Sequence, residues 1–383
     1  MTVGSGRSGI RPAERDSAVV RKAAALHRES IVIDGHCDIL MPVSDGKMTL
    51  DQRVEPPDPA RWEPPPGFDA GPLAQFGMSA HTIWFGPMGQ YDLPRWREGG
   101  ITSQLCAVYL DDDQLNRPLH RGLEMTWSLH REVDRLDGLV LATSAAGIRR
   151  AKEDGRVALV FSFEGCEALG ADPRFLDLYH KLGLRVASLT HTRRNIYADG
   201  CRAADSEGGL TAAGKALIDR MGELGIVVDL AHIGERGFWE ILDRVDRPVI
   251  LSHTTPTMFP SSDPASRHSG GTRPRTRLEL PRDREMLEAI ARTGGVLGLI
   301  HITHRNLSDV VDDIETALHV MGPDHVGLGS DQFGADLAPE GLEHIGKVPA
   351  ITEELVRRGH DDDTIRRFLG QNYLRVFEEV WGQ

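Results

Sequence analysis

The chain predicts an α/β fold, a (β/α)8 TIM-type barrel with a long loop insertion after the first strand. Two observations carry that prediction: eight short apolar runs recur along the sequence, and capped, helix-like segments separate them. A third observation locates the chemistry. The apolar runs repeatedly end in His, Asp or Glu, and strand ends on one side of such a barrel converge on a single mouth.

Residues 1–29 read as an N-terminal extension with a helix. The strand candidates follow in order. The first four are SIVIDGHCD (30–38), GITSQLCAVYL (100–110), RVALVFSFEG (156–165) and LRVASLTHT (184–192). The second four are GIVVDLAH (225–232), PVILSH (248–253), GGVLGLIH (294–301) and HVGLGSD (325–331). Most are continuous apolar runs rather than alternating ones, which suits parallel strands covered on both faces. Glycines inside GVLGLI and GLGSD relieve crowding in a barrel interior.

Helix signals lie between and after them. LTAAGKALIDRMGELG (210–225) has a Thr cap, apolar residues at helical spacing and a Gly stop. The same grammar appears in DPRFLDLYHKLG (172–183), DREMLEAIARTGG (283–295), LSDVVDDIETALHVMG (307–322) and DDTIRRFLGQNYLRVFEEVWG (362–382). A doubly wound open sheet is the competing topology, but no Gly-rich phosphate fingerprint follows the first strand. Residues 41–98 are rich in Pro and Gly and resist the alternation. Emerging after the first strand, they read as an insertion over the barrel mouth. All 383 residues are assigned to one barrel domain.

A formal net charge of −13 argues against the clustered basic face that nucleic acid would need. No signal-peptide core or eighteen-residue apolar run is present, so neither membrane insertion nor export is expected. Cys37, Cys106, Cys166 and Cys201 are scattered without a CxxC pair, which fits a reduced, cytoplasmic protein.

His36, Asp38, Glu164, His191, His232, His253 and Asp331 all fall at or just past predicted strand ends. His36 and Asp38, two apart, face the same way, which sends Cys37 toward the helix layer as a packing residue. Any one of these residues could be a satisfied polar side chain, and Asp331 alone could be a helix cap. Together they form an imidazole and carboxylate set suited to Zn²⁺ or, less selectively, Mn²⁺, Co²⁺ or Fe²⁺. Three His and two carboxylates exceed what one open catalytic zinc needs; two metals sharing one carboxylate would use all five, and hydrolysis is the natural reaction class. No GxSxG elbow or P-loop competes, and Cys166 has no dedicated base. An Arg-rich loop (266–283) follows the sixth strand and could bind a carboxylate.

These residues resemble the membrane (renal) dipeptidase family, zinc metallopeptidases of the amidohydrolase-like barrel superfamily. The matching pieces include DGHCD (34–38), DLPRWREGGITSQL (92–105), FSFEG (161–165) and SLTHTRRNIYADG (188–200). PVILSH, HVGLGSD and GQNYLRVFEEV (370–380) continue them in family order. The resemblance implies two zinc ions per chain, with His36 and Asp38 as ligands of one and His232 and His253 of the other. Glu164 would bridge them, Asp331 would be the catalytic acid/base, and His191 would bind substrate and stabilise the tetrahedral intermediate. An arginine of the 266–283 loop would hold the substrate carboxylate: Arg277, with Arg275 and Arg273 as competitors. The implied reaction is hydrolysis of dipeptides, including L,D-dipeptides, by water bridging the two ions, in a protein that forms homodimers.

The chain departs from the family at the mouth. It reads SDQFGA (330–335) where SDFDG is common, and its seventh strand ends in GLIHITH (298–304), with unexpected His301 and His304. Both changes bear on the substrate rather than on the metals. The competing enzymatic reading is a related binuclear amidohydrolase acting on another amide or a lactone, such as an N-acyl amino acid. A catalytically silent binding barrel is the reading from a different class.

Overall fold

The computed structural model describes residues 12–68, 78–203, 208–256, 281–302, 304–334 and 337–382. Among these residues, nine parallel strands form one sheet. They are β1 (Ile33–Asp34), β2 (Ser103–Tyr109), β3 (Leu139–Leu141), β4 (Val157–Glu164) and β5 (Leu184–Ser188), then β6 (Val227–Asp229), β7 (Ile250–Thr254), β8 (Val296–Leu299) and β9 (Val326–Leu328). Eight of them close a ring in the order β1, β2, β4, β5, β6, β7, β8, β9 and back to β1. Those eight are the eight expected strands, so the (β/α)8 barrel stands.

β3 is an addition. It pairs with Val157–Leu159 of β4, beside the place where β5 takes over the pairing from Phe161 onward. Its three residues are too short a run to stand out in the sequence.

The helices carry the expected punctuation. In Ala212–Leu224 the Thr211 hydroxyl accepts from Gly214 N–H, and Gly225 closes the helix in the left-handed region (φ 70°). Such an N-cap is worth about 1 kcal/mol. The run 362–382 does not form one helix. It divides into Asp362–Arg366, a wide turn at Arg367–Gln371, and Asn372–Trp381. The break sits where Gly370 meets the Ile31 carbonyl so closely that a Cβ would lie 2.5 Å from it.

That break lets Asn372–Trp381 close the bottom of the barrel. Asn372 donates to the carbonyls of Pro323 and Val326, and Tyr373 O–H donates to the Leu328 carbonyl at 3.0 Å. Tyr373 and Phe377 pack with inward-facing Ile33, Leu105, Val160, Val186, Val227, Ile250 and Val296 in one buried cluster. Gly298 and Gly329 make room inside this ring. A Cβ at either would fall 2.0 or 2.1 Å from the Ser252 carbonyl. No described helix is long and apolar enough to cross a membrane.

The described part of the 41–98 segment is packed against the barrel. Met88, Tyr91, Leu93 and Trp96 are buried, and Asp92 caps Leu93–Glu98 by accepting from Arg95 N–H. Trp62, Trp84, Phe85 and His81 form an aromatic cluster within it.

Candidate metal centre

His36 and Asp38 reach the barrel interior through a bulge. Asp34 stands opposite Gln104, yet Cys37 N–H donates to the Leu105 carbonyl and the Cys37 carbonyl accepts from Ala107 N–H. Three steps along the first segment thus match two along β2, and the extra residue turns His36 inward. Cys37 faces the helix layer, as expected, with its Sγ 3.8 Å from Cys106 Sγ.

Glu164 ends β4 and stands at the centre of the group. Its Oε1 lies 2.8 Å from His232 Nε2, 3.3 Å from His253 Nε2 and 3.7 Å from His36 Nε2. His36 Nε2 is also 3.4 Å from Asp38 Oδ2 and 3.8 Å from Asp331 Oδ1. Three sets of ligand atoms each gather within 4.8 Å: His36, Glu164 and His253; Glu164, His191 and His232; and His36, Asp38 and Asp331. All seven residues picked out at strand ends therefore meet in one place. Arg277, Arg275 and Arg273 lie outside the described residues. His301 and His304 do not join the group; His304 Nε2 is 3.0 Å from Asp313 Oδ2.

The backbone is held in unusual conformations here. His232 (φ 62°) and Asp331 (φ 45°) are the non-glycine left-handed residues among those described, and such residues persist only where their surroundings fix them. The His232 carbonyl accepts from Cys201 N–H at 2.7 Å. Asp229 Oδ1 accepts from the backbone N–H of both Ala231 and Ser252, and Ser252 Oγ is 2.9 Å from His253 Nδ1. That contact orients the His253 ring so that Nε2 faces the centre.

The group has the electrostatics of a cation site. Burial opposes charge on Glu164, but His36, His191, His232 and His253 hold its carboxyl well below the usual range. Burial also opposes charge on His36, yet Glu164 and Asp38 raise it well above the ordinary imidazole value. Burial, with His36 adding to it, lowers His253 to about 3. Burial first, with His232 second, keeps His191 neutral. For Asp331, burial, reinforced by Asp38 and Glu164 against the pull of His36, raises the carboxyl well above its usual range. A divalent cation would replace these shared protons, favouring ionised carboxylates and neutral imidazoles.

The residues fit such an ion. Asp38 Oδ1 is buried with no hydrogen-bond partner. His232 Nε2 and His253 Nε2 face each other at 2.8 Å. Buried acceptors converging this closely call for a shared cation.

Sequence reasoning does not single out Tyr109, Arg193 or Glu167, which form the rim. Tyr109 ends β2 in register with Glu164, on the strand where no ligand-type residue was read. Its ring packs edge-on against His191, with centroids 4.6 Å apart. Arg193 lies over that ring and donates to Asp112 (2.7 Å), Glu167 (3.2 Å) and the Leu110 carbonyl. Cys166 is buried, its thiol pushed up by burial and turned to the Ser188 carbonyl, so it is no nucleophile.

The chain is similar to known dipeptidases and metallopeptidases. The chain is 30% identical over 306 residues to the dipeptidase aclJ of Aspergillus oryzae, covering 76% of this chain and 70% of that protein. The probable dipeptidase PvdM of Pseudomonas aeruginosa superposes with a TM-score of 0.75 at 18% identity, covering 95% of this chain and 99% of that one. A metallopeptidase of Rhodobacter sphaeroides, solved with a phosphinate mimic of the dipeptide L-Ala-D-Ala, gives 0.70 at 23% identity, covering 92% and 100%. The model of the membrane dipeptidase family, peptidase family M19, matches residues 20–382, and the chain belongs to that family of metallopeptidases.

Proposed function

We propose that the chain is a binuclear zinc dipeptidase that hydrolyses short dipeptides, L,D-dipeptides among them. The observation that supports this best is the convergence of three imidazoles on one Glu164 oxygen, with Asp38 and Asp331 beside His36. In this reading His36 and Asp38 hold one ion, His232 and His253 the other, and Glu164 both. Bound there, the ions would acidify water and polarise the scissile carbonyl.

The chain's own groups do the rest. Asp331 sits 3.8 Å from His36 beside the proposed ions, where its carboxylate can take a proton from water and pass it to the leaving amine. Burial lowers His191 well below the ordinary imidazole value, and a ring N–H of the neutral form would stabilise the developing oxyanion. Arg277 is the proposed anchor for the substrate carboxylate, and the 41–98 segment the wall that limits substrate length.

Elemental analysis and a substrate panel test the proposal. The purified protein should hold about two zinc ions per chain and lose turnover with chelator. It should cleave L,L- or L,D-dipeptides in preference to N-acyl amino acids. Turnover of acylated amino acids alone would transfer the assignment to that class of amide.

A further inference from the structure

We propose that Tyr91 is a positioning residue for Asp331, so that the segment inserted after the first strand takes part in building the reaction centre. The inference deepens the proposed function, since it rests on Asp331 acting as the acid/base.

Tyr91 is fully buried. Its phenol oxygen lies 2.7 Å from Ser330 Oγ and accepts from the Gln332 backbone N–H at 2.8 Å. One atom therefore grips the residues on both sides of Asp331, the residue with φ 45°. Proton directions are set by the next group. Ser330 Oγ donates to Asp34 Oδ2 at 2.6 Å, so it accepts from Tyr91 O–H. Asp34 further accepts from Ser330 N–H at 2.7 Å and from Gln104 Nε2 at 2.7 Å. A hydroxyl has one proton to give and lone pairs to receive, and Tyr91 uses both capacities here.

The neighbouring residue fixes the far end of the same turn. Gln90 Oε1 accepts from Gly334 N–H at 2.6 Å, and Gln90 Nε2 donates to the Gly334 carbonyl at 3.2 Å. Residues 90 and 91 thereby hold 330–334 along its length. A left-handed Asp needs such over-determination, because an aspartate released from it relaxes to φ below zero and swings its carboxyl away. Phenylalanine at 91 would keep the ring packing while leaving Gln332 N–H buried without its acceptor.

The test compares Tyr91→Phe, Asp331→Asn and the double variant as zinc-loaded full-length protein, with the best substrate from the panel. Tyr91→Phe should lower kcat about tenfold to a hundredfold, the penalty for a displaced catalytic group. KM should stay within about twofold and metal content should be unchanged, separating this from lost binding. The loss should vanish on the Asp331→Asn background. Wild-type kcat in Tyr91→Phe, or equal losses on both backgrounds, would overturn the proposal. Full activity of Asp331→Asn would instead sink the acid/base reading. In that case, or if the panel yields no substrate, a crystal structure of Tyr91→Phe decides. Residue 331 leaving the left-handed region supports positioning by Tyr91, and residue 331 staying there overturns it. If Tyr91→Phe does not fold, Ser330→Ala removes the other half of the grip and is read by the same criteria.

Discussion

His232 Nε2 and His253 Nε2 lie 2.8 Å apart, and both face the same Glu164 oxygen. Two imidazole nitrogens adopt this approach when a proton or a metal lies among them. Replacing Glu164 with Gln keeps the shape but removes the negative charge and one of the two oxygens. The variant should bind fewer metal ions per chain than wild type and lose at least about a hundredfold in kcat. Elemental analysis alongside kinetics checks this. A variant with the wild-type metal complement and full turnover would remove Glu164 from the bridging position.

The rim is expected to act through Arg193. Its guanidinium spans Asp112, Glu167 and the Leu110 carbonyl while lying over Tyr109, which packs on His191. Lysine carries a single point charge and cannot reach three acceptors at once. Arg193→Lys should lower kcat/KM by about tenfold, roughly 1.4 kcal/mol of transition-state stabilisation, with metal content unchanged. Arg193→Ala leaves the mostly buried Glu167 carboxylate without this donor and should cost about 2 kcal/mol in stability as well. Unaltered kinetics in Arg193→Lys would mean that the rim does not set His191.

His301 predicts a pH dependence of stability. It is fully buried, and neither ring nitrogen has a hydrogen-bond partner among the described residues. Burial, with a smaller contribution from His304, lowers it to about 3. The unfolded chain takes up this proton near pH 6.5, whereas the folded one refuses it until about pH 3. Its contribution to stability is therefore complete above pH 6.5 and falls as the pH drops toward 3. At pH 5 the loss amounts to about 2 kcal/mol. His301→Phe should flatten this slope in thermal melts between pH 7.5 and 5 while preserving the fold. An unchanged slope would show that His301 is hydrated or paired in solution.

The residues that gather in the candidate metal centre were legible because barrel strands are apolar until they end, so a His or Asp at the end stands out. Eight strands and seven site residues follow from that contrast. What escaped depends on geometry that a linear pattern does not contain. The bulge that turns His36 inward arises from pairing with β2. Tyr91 meets Gln332 across 241 residues of sequence, and a buried tyrosine looks like packing until its partner is known. Tyr109 supplies an aromatic edge where the ligand pattern held a blank, and β3 is three residues long. The 362–382 segment breaks because Gly370 meets the Ile31 backbone, a contact between opposite ends of the chain.

Two glycines, one in a strand and one in a helix, should respond oppositely to alanine. Gly298 stands in β8, where a Cβ would come within 2.0 Å of the Ser252 carbonyl and 2.4 Å of the Tyr373 hydroxyl. The first obstacle is backbone of the ring, and the second is a fully buried side chain held to the Leu328 carbonyl, so neither moves aside freely. Gly298→Ala should cost at least about 3 kcal/mol, the upper end for overpacking, and should disturb His253 through Ser252. Gly222 lies near the end of Ala212–Leu224, and a Cβ there meets nothing within 4 Å. Gly222→Ala should stabilise the protein by about 0.5 to 1 kcal/mol by restricting the unfolded chain and favouring the helix. Thermal melts of the two variants, with metal content measured in each, separate barrel closure from helix propensity. A folded Gly298→Ala with wild-type stability would contradict the tight interior described for β8.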